Sequence, residues 1–387
     1  MEWMVPLRRL DEAQQNVLRQ CANVTEQPMW VEGFAGSGKT VLLVHAIQTY
    51  VQKHPDSNVC VIVFTHALID LIESGIAPEL RSKIPVMTYL NFVNKDKNHY
   101  NLVVIDEVQD VPANILNAIR SRADKLLVGG DDAQSIYESG SRAEKIESVL
   151  QPDRIKLPMV YRLTRKIINV VKNILPNNNI VTATSARMED VQVTLAHADS
   201  SDAELAWVWH QAIRHAEPGH PSVIVLTDHS AIQDFMRFVA KQNGYPAPKF
   251  PTDSWNRYDY SAANQSFLEV GAQGCLQYLG NGHGSLDNSD SRSIVYVMTY
   301  HSIKGLDFRT VFLPLLTSDL TFWKGAERAD IDRRLFFVGA TRSRRDLFMS
   351  YHGEKPHPYV QDMPEEELHK IEIGKNPHIR DEDDFIF

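Results

Sequence analysis

Gly33-Phe34-Ala35-Gly36-Ser37-Gly38-Lys39-Thr40 has the spacing G-x-x-x-x-G-K-T. Glycines so placed let successive backbone N–H groups wrap phosphate oxygens, and a helix opening at Lys39 adds positive potential. Lys39 then reaches the β- and γ-phosphates, and the Thr40 hydroxyl holds Mg2+. Further on, the apolar run Val103-Val104-Ile105 delivers Asp106 and Glu107 at a strand end, where ligands of α/β folds bind. Asp106 is the second Mg2+ ligand, largely through water, and Glu107 polarises an attacking water. Alone, the two motifs specify a nucleoside triphosphatase.

Strands must carry both motifs. Apolar, β-branched runs at Met29–Glu32, Val59–Thr65, Leu102–Asp106 and Leu126–Gly129 read as buried parallel strands. A second set follows at Ser222–Thr227, Ile294–Thr299, Val311–Leu315 and Leu347–Tyr351, with helical patterns such as Thr40–Lys53 and Ala203–His215 between. The alternation predicts an α/β chain of two domains, residues 1–151 and 152–360, followed by an acidic tail over 361–387. The spacing also predicts an apolar helical stretch near Ser266–Leu279 and a mobile Gly/Ser loop over Asn281–Ser293.

The chain has 387 residues and a net charge of −9; 43% is hydrophobic and 23% charged, which excludes extensive disorder. Three cysteines make no disulfide framework and have no metal-ligand spacing, so a cytoplasmic setting is expected. No apolar stretch is long enough for a membrane span. An acidic total argues against a nucleic-acid binder, but residues 361–387 carry −6 of it and residues 1–360 only −3.

Further motifs narrow the class. Val103–Asp110 reads VVIDEVQD, Gly130–Tyr137 reads GDDAQSIY, Tyr300–Phe308 reads YHSIKGLDF and Arg333–Arg342 reads RRLFFVGATR. In this order the chain resembles the UvrD/Rep-like superfamily 1 helicases over most of residues 10–350. The resemblance implies two RecA-like P-loop domains with mostly parallel sheets and an ATP site in the cleft between them. It makes ATP and Mg2+ the cofactors and casts Gln14 as the adenine reader. Gly33, Gly36, Ser37 and Gly38 wrap the phosphates. Gln134 becomes the γ-phosphate sensor, and Tyr161 stacks on the base. Arg162 and Arg342 contact the γ-phosphate, where an arginine contributes about 10³–10⁵ in rate. Gly305 and Asp307 match the ribose side, Asp307 standing where the family has Glu.

The same resemblance assigns Phe64, Thr65, Thr88 and Tyr89 in the first domain, and Thr299, His301 and Ser302 in the second, to single-stranded nucleic acid. Tyr137 and Phe64 offer rings that stack on any base. After Tyr137, however, Glu138-Ser139-Gly140-Ser141-Arg142 lacks the family's second ring and coupling Arg. The short spans 90–105 and 243–298 leave no room for the family's large inserted subdomains.

The expectation is an ATP-dependent motor on single-stranded nucleic acid, DNA rather than RNA, moving 3′-to-5′, with unwinding weak or partner-dependent. Two alternatives stand beside it. One is an ATP-switched regulatory subunit of a nuclease or defence complex without unwinding activity; the other is an inactive scaffold. The terminal Asp381-Glu382-Asp383-Asp384-Phe385-Ile386-Phe387 reads as a solvated acidic tail or, alternatively, as a peptide that docks a protein partner.

Overall fold

Alternating apolar runs and amphipathic segments produce two parallel sheets. The computed structural model describes residues 3–137, 139–175, 184–187, 191–270, 275–323 and 328–374. The first sheet contains β1 (Met29–Gly33), β2 (Val59–Val63), β3 (Val86–Thr88), β4 (Tyr100–Ile105), β5 (Ala123–Gly130) and β6 (Asp153–Leu157), in the order β3-β2-β4-β5-β1-β6. Its pairings are all parallel. Between the strands run α1 (Glu12–Cys21), α2 (Lys39–Lys53), α3 (His66–Gly75), α4 (Tyr89–Asn94), α5 (Ala113–Arg120) and α6 (Ala143–Leu150). Helices cover both faces, so the strands are apolar on both. In β4, Leu102 and Val104 enter one buried cluster and Val103 and Ile105 the other.

A short parallel pair, β7 (Met159–Thr164) and β8 (Thr184–Arg187), follows, with α7 (Arg165–Val171) between them. The second sheet holds β9 (Val193–Ala198), β10 (Ser222–Leu226), β11 (Cys275–Tyr278), β12 (Ile294–Thr299), β13 (Phe308–Leu313), β14 (Ser343–His352) and β15 (His369–Glu372). Their order is β11-β12-β10-β13-β14-β9-β15, again all parallel. Helices α8 (Ser201–His215), α9 (His229–Gln242), α10 (Ser261–Val270) and α11 (Arg328–Ala340) connect them. The three cysteines are buried and unpaired. No helix among the described residues is long and apolar enough to cross a membrane.

Several expectations change. The first sheet extends through β6, so the chain leaves it after Leu157 rather than at 151. The second sheet extends past 360, because β15 adds to β9; the expected tail residues beyond 374 lie outside the described residues. The stretch 266–279 is not one helix, since Cys275–Tyr278 is a buried strand along β12. The Gly/Ser segment is a largely exposed loop anchored at two points: Ser289 is buried, and the Tyr296 hydroxyl donates to the Ser285 carbonyl at 2.6 Å. Only α4 and a short turn fill the span from Tyr89 to β4.

One buried carboxylate ties the second sheet to its helix layer. Glu204 on α8 is fully buried. Its Oε1 accepts from the Leu315 backbone N–H at 2.6 Å and the Ser350 hydroxyl at 2.7 Å, and Oε2 lies 2.6 Å from His352 Nδ1. Leu315 has a left-handed backbone, φ 61°, which the first of these bonds holds in place. Glu204→Ala should lower the free energy of unfolding in urea by about 3 kcal/mol, since it orphans two buried donors. A loss below about 1 kcal/mol would mean that water replaces the carboxylate.

Candidate functional site

The phosphate loop is formed by backbone conformation. Gly36 and Gly38 take left-handed φ values of 75° and 86°. A Cβ on Gly36 would lie 2.3 Å from the Cβ of Arg162. The loop is stitched to β7, because the Gly36 carbonyl accepts the N–H groups of Tyr161 at 2.8 Å and Arg162 at 3.2 Å. At the loop's mouth Lys39 is buried, its Nζ donating to the carbonyls of Gly33 at 2.8 Å and Phe34 at 3.1 Å. Ser37 is also buried. Thr40 Oγ1 donates to Asp106 Oδ2 at 2.7 Å. Two adjacent hard oxygen donors fit Mg2+, which takes one or two protein oxygens and completes its shell with phosphate and water.

Beyond Asp106 the backbone kinks: Glu107 is a buried, left-handed residue with φ 54°. Strain of this kind persists only where the surroundings enforce it. Gln109 Nε2 donates to Glu107 Oε2, and Gln109 Oε1 accepts from the Asp131 N–H at 3.1 Å. Burial pushes Glu107 upward, but Lys304, Lys39, Gln109 and Arg342 together hold it below its ordinary value, so it remains a carboxylate. Asp106 goes the other way, raised to about 6 by burial and by the neighbouring Glu107.

Groups from the second sheet complete this wall. Arg342, at the start of β14, is buried; its Nη2 donates to Gln134 Oε1 at 2.6 Å, while Gln134 Nε2 donates to Asp131 Oδ2 at 2.7 Å. Lys304 Nζ sits 2.7 and 2.6 Å from the two carboxylate oxygens of Asp110 and donates to the Gln134 carbonyl. Both partners of this ion pair are almost fully buried. Burial, opposed by Lys304, raises Asp110 to about 7.

The remaining predicted nucleotide residues line one cavity of about 270 Å³ between the sheets, with Lys39, Thr40, Glu107, Gln134 and Arg342. Gln14 caps α1 reciprocally with Asp11, and its Nε2 faces Gly38. The Tyr161 hydroxyl donates to Asp11 Oδ2. Gly305, φ 82°, packs so closely on Leu68 that a Cβ would fall 2.6 Å from it. Asp307 is gripped by Arg162 at 2.7 Å and Arg344 at 3.0 Å, and the two guanidinium groups hold it below its usual range despite burial. The expected ribose contact is thus occupied by arginine, and Arg162 is shared between Asp307 and the cleft.

Four of the eight predicted nucleic-acid residues, Phe64, Tyr89, Tyr137 and His301, form a separate line of rings across both domains. Tyr89 stacks on Phe64 with centroids 5.2 Å apart, and Phe64 meets Tyr137 at 4.2 Å. Tyr137 meets His301 at 5.6 Å, and His301 meets Trp323 at 5.3 Å. Thr299, His301 and Ser302 line an open cavity of about 550 Å³ with Trp323, Thr227 and His229, at the carboxyl edge of the second sheet. Burial and Lys304 depress His301 to about 4, so its ring is neutral at neutral pH. Thr65 Oγ1 and His301 Nε2 are buried without a protein hydrogen-bond partner, a cost that a ligand contact would relieve. Thr88 differs, because its hydroxyl caps α4 by accepting from Asn91 N–H at 3.3 Å.

Sequence reasoning assigned no role to Asp110, Lys304, Gln109 or Asp131, although all four lie inside motifs it singled out. Arg344, two residues past Arg342, carried a weak signal, and Trp323 carried none. Lys304→Met should destabilise the chain by about 3 kcal/mol in urea unfolding, because it strands Asp110. The double variant Lys304→Met/Asp110→Leu should recover most of that loss. Additive losses would show that the pair does not interact.

Two family models match the chain: an AAA domain over residues 14–140 and a UvrD-like helicase C-terminal domain over residues 275–354. The ATP-dependent DNA helicase Rep of Buchnera aphidicola is 34% identical over 94 residues, covering 21% of this chain and 14% of that protein. The ATP-dependent DNA helicase srs2 of Schizosaccharomyces pombe is 39% identical over 56 residues, 14% of this chain and 6% of that protein. The matched segments are therefore a small part of either relative. A solved structure of the PRRSV helicase aligns with 91% of this chain and 55% of its own, at 16% identity and a TM-score of 0.46. The two domain models, in the order the motifs require, and the two helicase relatives together support a UvrD/Rep-like superfamily 1 helicase.

Proposed function

We propose that this protein is an ATP-hydrolysing motor that moves along single-stranded nucleic acid, 3′-to-5′ on DNA, with weak or partner-dependent unwinding. One observation carries the reading. Residues 299–307 line both cavities, with Thr299, His301 and Ser302 at one and Gly305 and Asp307 at the other, and Lys304 buried between them. A ligand in either cavity therefore bears on the same short segment.

Within the nucleotide cavity, Lys39 and the loop amides bind the polyphosphate, and Gln14 and Tyr161 face the base. Glu107 holds the attacking water, because hydrolysis needs a positioned acceptor. Arg342 and Arg162 supply fixed positive charge where negative charge is spread over the γ-oxygens. Thr40 and Asp106 would hold Mg2+, which neutralises phosphate charge and orients the leaving group. The ring line stacks bases without reading their identity.

A second reading, an ATP-switched regulatory subunit without unwinding activity, draws on the segment after Tyr137. There Arg142 pairs with Asp330 of α11 at 2.8 Å and is thus engaged at the seam between the domains.

Turnover of ATP should rise on adding single-stranded DNA, and Glu107→Gln should reduce the stimulated rate by at least about 100-fold. Turnover that ignores DNA and RNA but responds to a protein partner would favour the regulatory reading. No turnover under any condition would sink both. A strand-displacement assay then measures unwinding.

A further inference from the structure

Between α9 and α10 the chain makes a small hairpin, closed by an antiparallel bridge between Thr252 and Tyr258. At its tip Trp255 is 79% exposed, and it is the only tryptophan classed as exposed among the described residues. The tip is rigidly built. Asp253 Oδ1 accepts from the N–H groups of Trp255 at 2.8 Å and Arg257 at 2.9 Å, and Oδ2 accepts from Arg257 Nε at 2.8 Å. Two backbone bonds, Asp253 N–H to the Arg257 carbonyl and Asn256 N–H to the Asp253 carbonyl, close the turn. A large apolar ring held in water by this many restraints is an informative exposure, unlike a scattered surface leucine.

The hairpin's base is joined to the open cavity. Tyr258 meets the His229 ring at 5.7 Å, and the Tyr260 hydroxyl lies 2.9 Å from His229 Nδ1. His229 lines that cavity with His301 and Trp323. The ring line that begins at Tyr89 thus reaches the cavity at Trp323; His229, in the same lining, meets Tyr258, which is itself 39% exposed. Trp255 stands beyond Tyr258 on the same hairpin.

We propose that Trp255 is a base-stacking platform for single-stranded nucleic acid, gripping the strand where it leaves the cavity. The inference rests on the reading of that cavity as a strand site. An indole stacks on any base, so the platform adds grip without sequence preference.

The test is fluorescence anisotropy of labelled oligothymidylates of roughly 4 to 16 nucleotides, with the full chain, Trp255→Ala and Trp255→Phe. For the native chain, affinity should climb with length. Trp255→Ala should bind the shortest oligomers as the native chain does but lose about tenfold on the longest, and Trp255→Phe should keep most of that grip. Strand-free ATP turnover and thermal stability should be unchanged, since the indole packs on nothing in the core. Equal binding of native chain and Trp255→Ala at every length overturns the platform while leaving the cavity reading intact; the exposed ring would then face another kind of partner. A native chain that binds no oligomer at any length overturns both.

Discussion

Burying the Lys304 ammonium fixes how the two sheets meet. A charge taken out of water costs several kcal/mol unless a partner is placed for it, and the partners of Lys304 all belong to the first domain: both oxygens of Asp110 and the carbonyl of Gln134. Any sliding of one sheet against the other strands two buried charges at once. The other contacts in the seam inherit this registry. Arg342 meets the Gln134 amide. Arg162 is tied by its backbone to the phosphate loop and by its guanidinium to Asp307 at the edge of β13.

Strand polarity explains why one short segment touches both cavities. In a parallel sheet the chain leaves β12 at the carboxyl edge and must return to the amino edge to begin β13. Residues 300–307 make that return directly, without a crossover helix. Their first part stays with Thr299 at the carboxyl edge, beside Trp323 and the ring line. Their last part reaches the amino edge of the second sheet, which faces the carboxyl edge of the first and its phosphate loop. Ile303 and Leu306 are buried in between, so the segment packs as a strut rather than a loose loop. A displacement at one end is carried to the other by packed side chains.

What could be read beforehand was what local chemistry dictates. The phosphate loop is legible because its glycines encode a backbone shape, and β4 is legible because a strand buried on both faces has to be apolar throughout. Two of the missed strands, β6 and β15, are ones that need less. Along β6 only Leu157 is fully buried, and β15 is mostly exposed, so neither Asp153-Arg154-Ile155-Lys156-Leu157 nor His369-Lys370-Ile371-Glu372 shows an apolar run. Both lie at a sheet edge, where polar residues are favoured. The full extent of each sheet was hidden for the same reason. In the site, individual residue types were readable but their pairings were not. Nothing in the sequence says that Arg344 shares Asp307 with Arg162, or that Trp323 ends a line of rings begun at Tyr89, because these depend on which strands become neighbours.

Those pairings also rank the cations that a polyphosphate would meet. The chain's net charge of −9 says little here, because within the cleft charges are already matched locally. Lys304 is committed to Asp110, and Arg162 and Arg344 are both committed to Asp307. Lys39 and Arg342 differ, since their hydrogen-bond acceptors are neutral oxygens: two carbonyls for Lys39, and the Gln134 amide and the Val338 carbonyl for Arg342. A carbonyl holds an ammonium less strongly than an anionic oxygen does. Lys39 and Arg342 would therefore gain most from an arriving phosphate and give up least. Arg162 would have to be shared with, or drawn from, a half-buried carboxylate, so any contact with phosphate would be felt at Asp307 and through it at β13. The first contacts provide affinity; the last makes the second sheet sensitive to whether the phosphate is there.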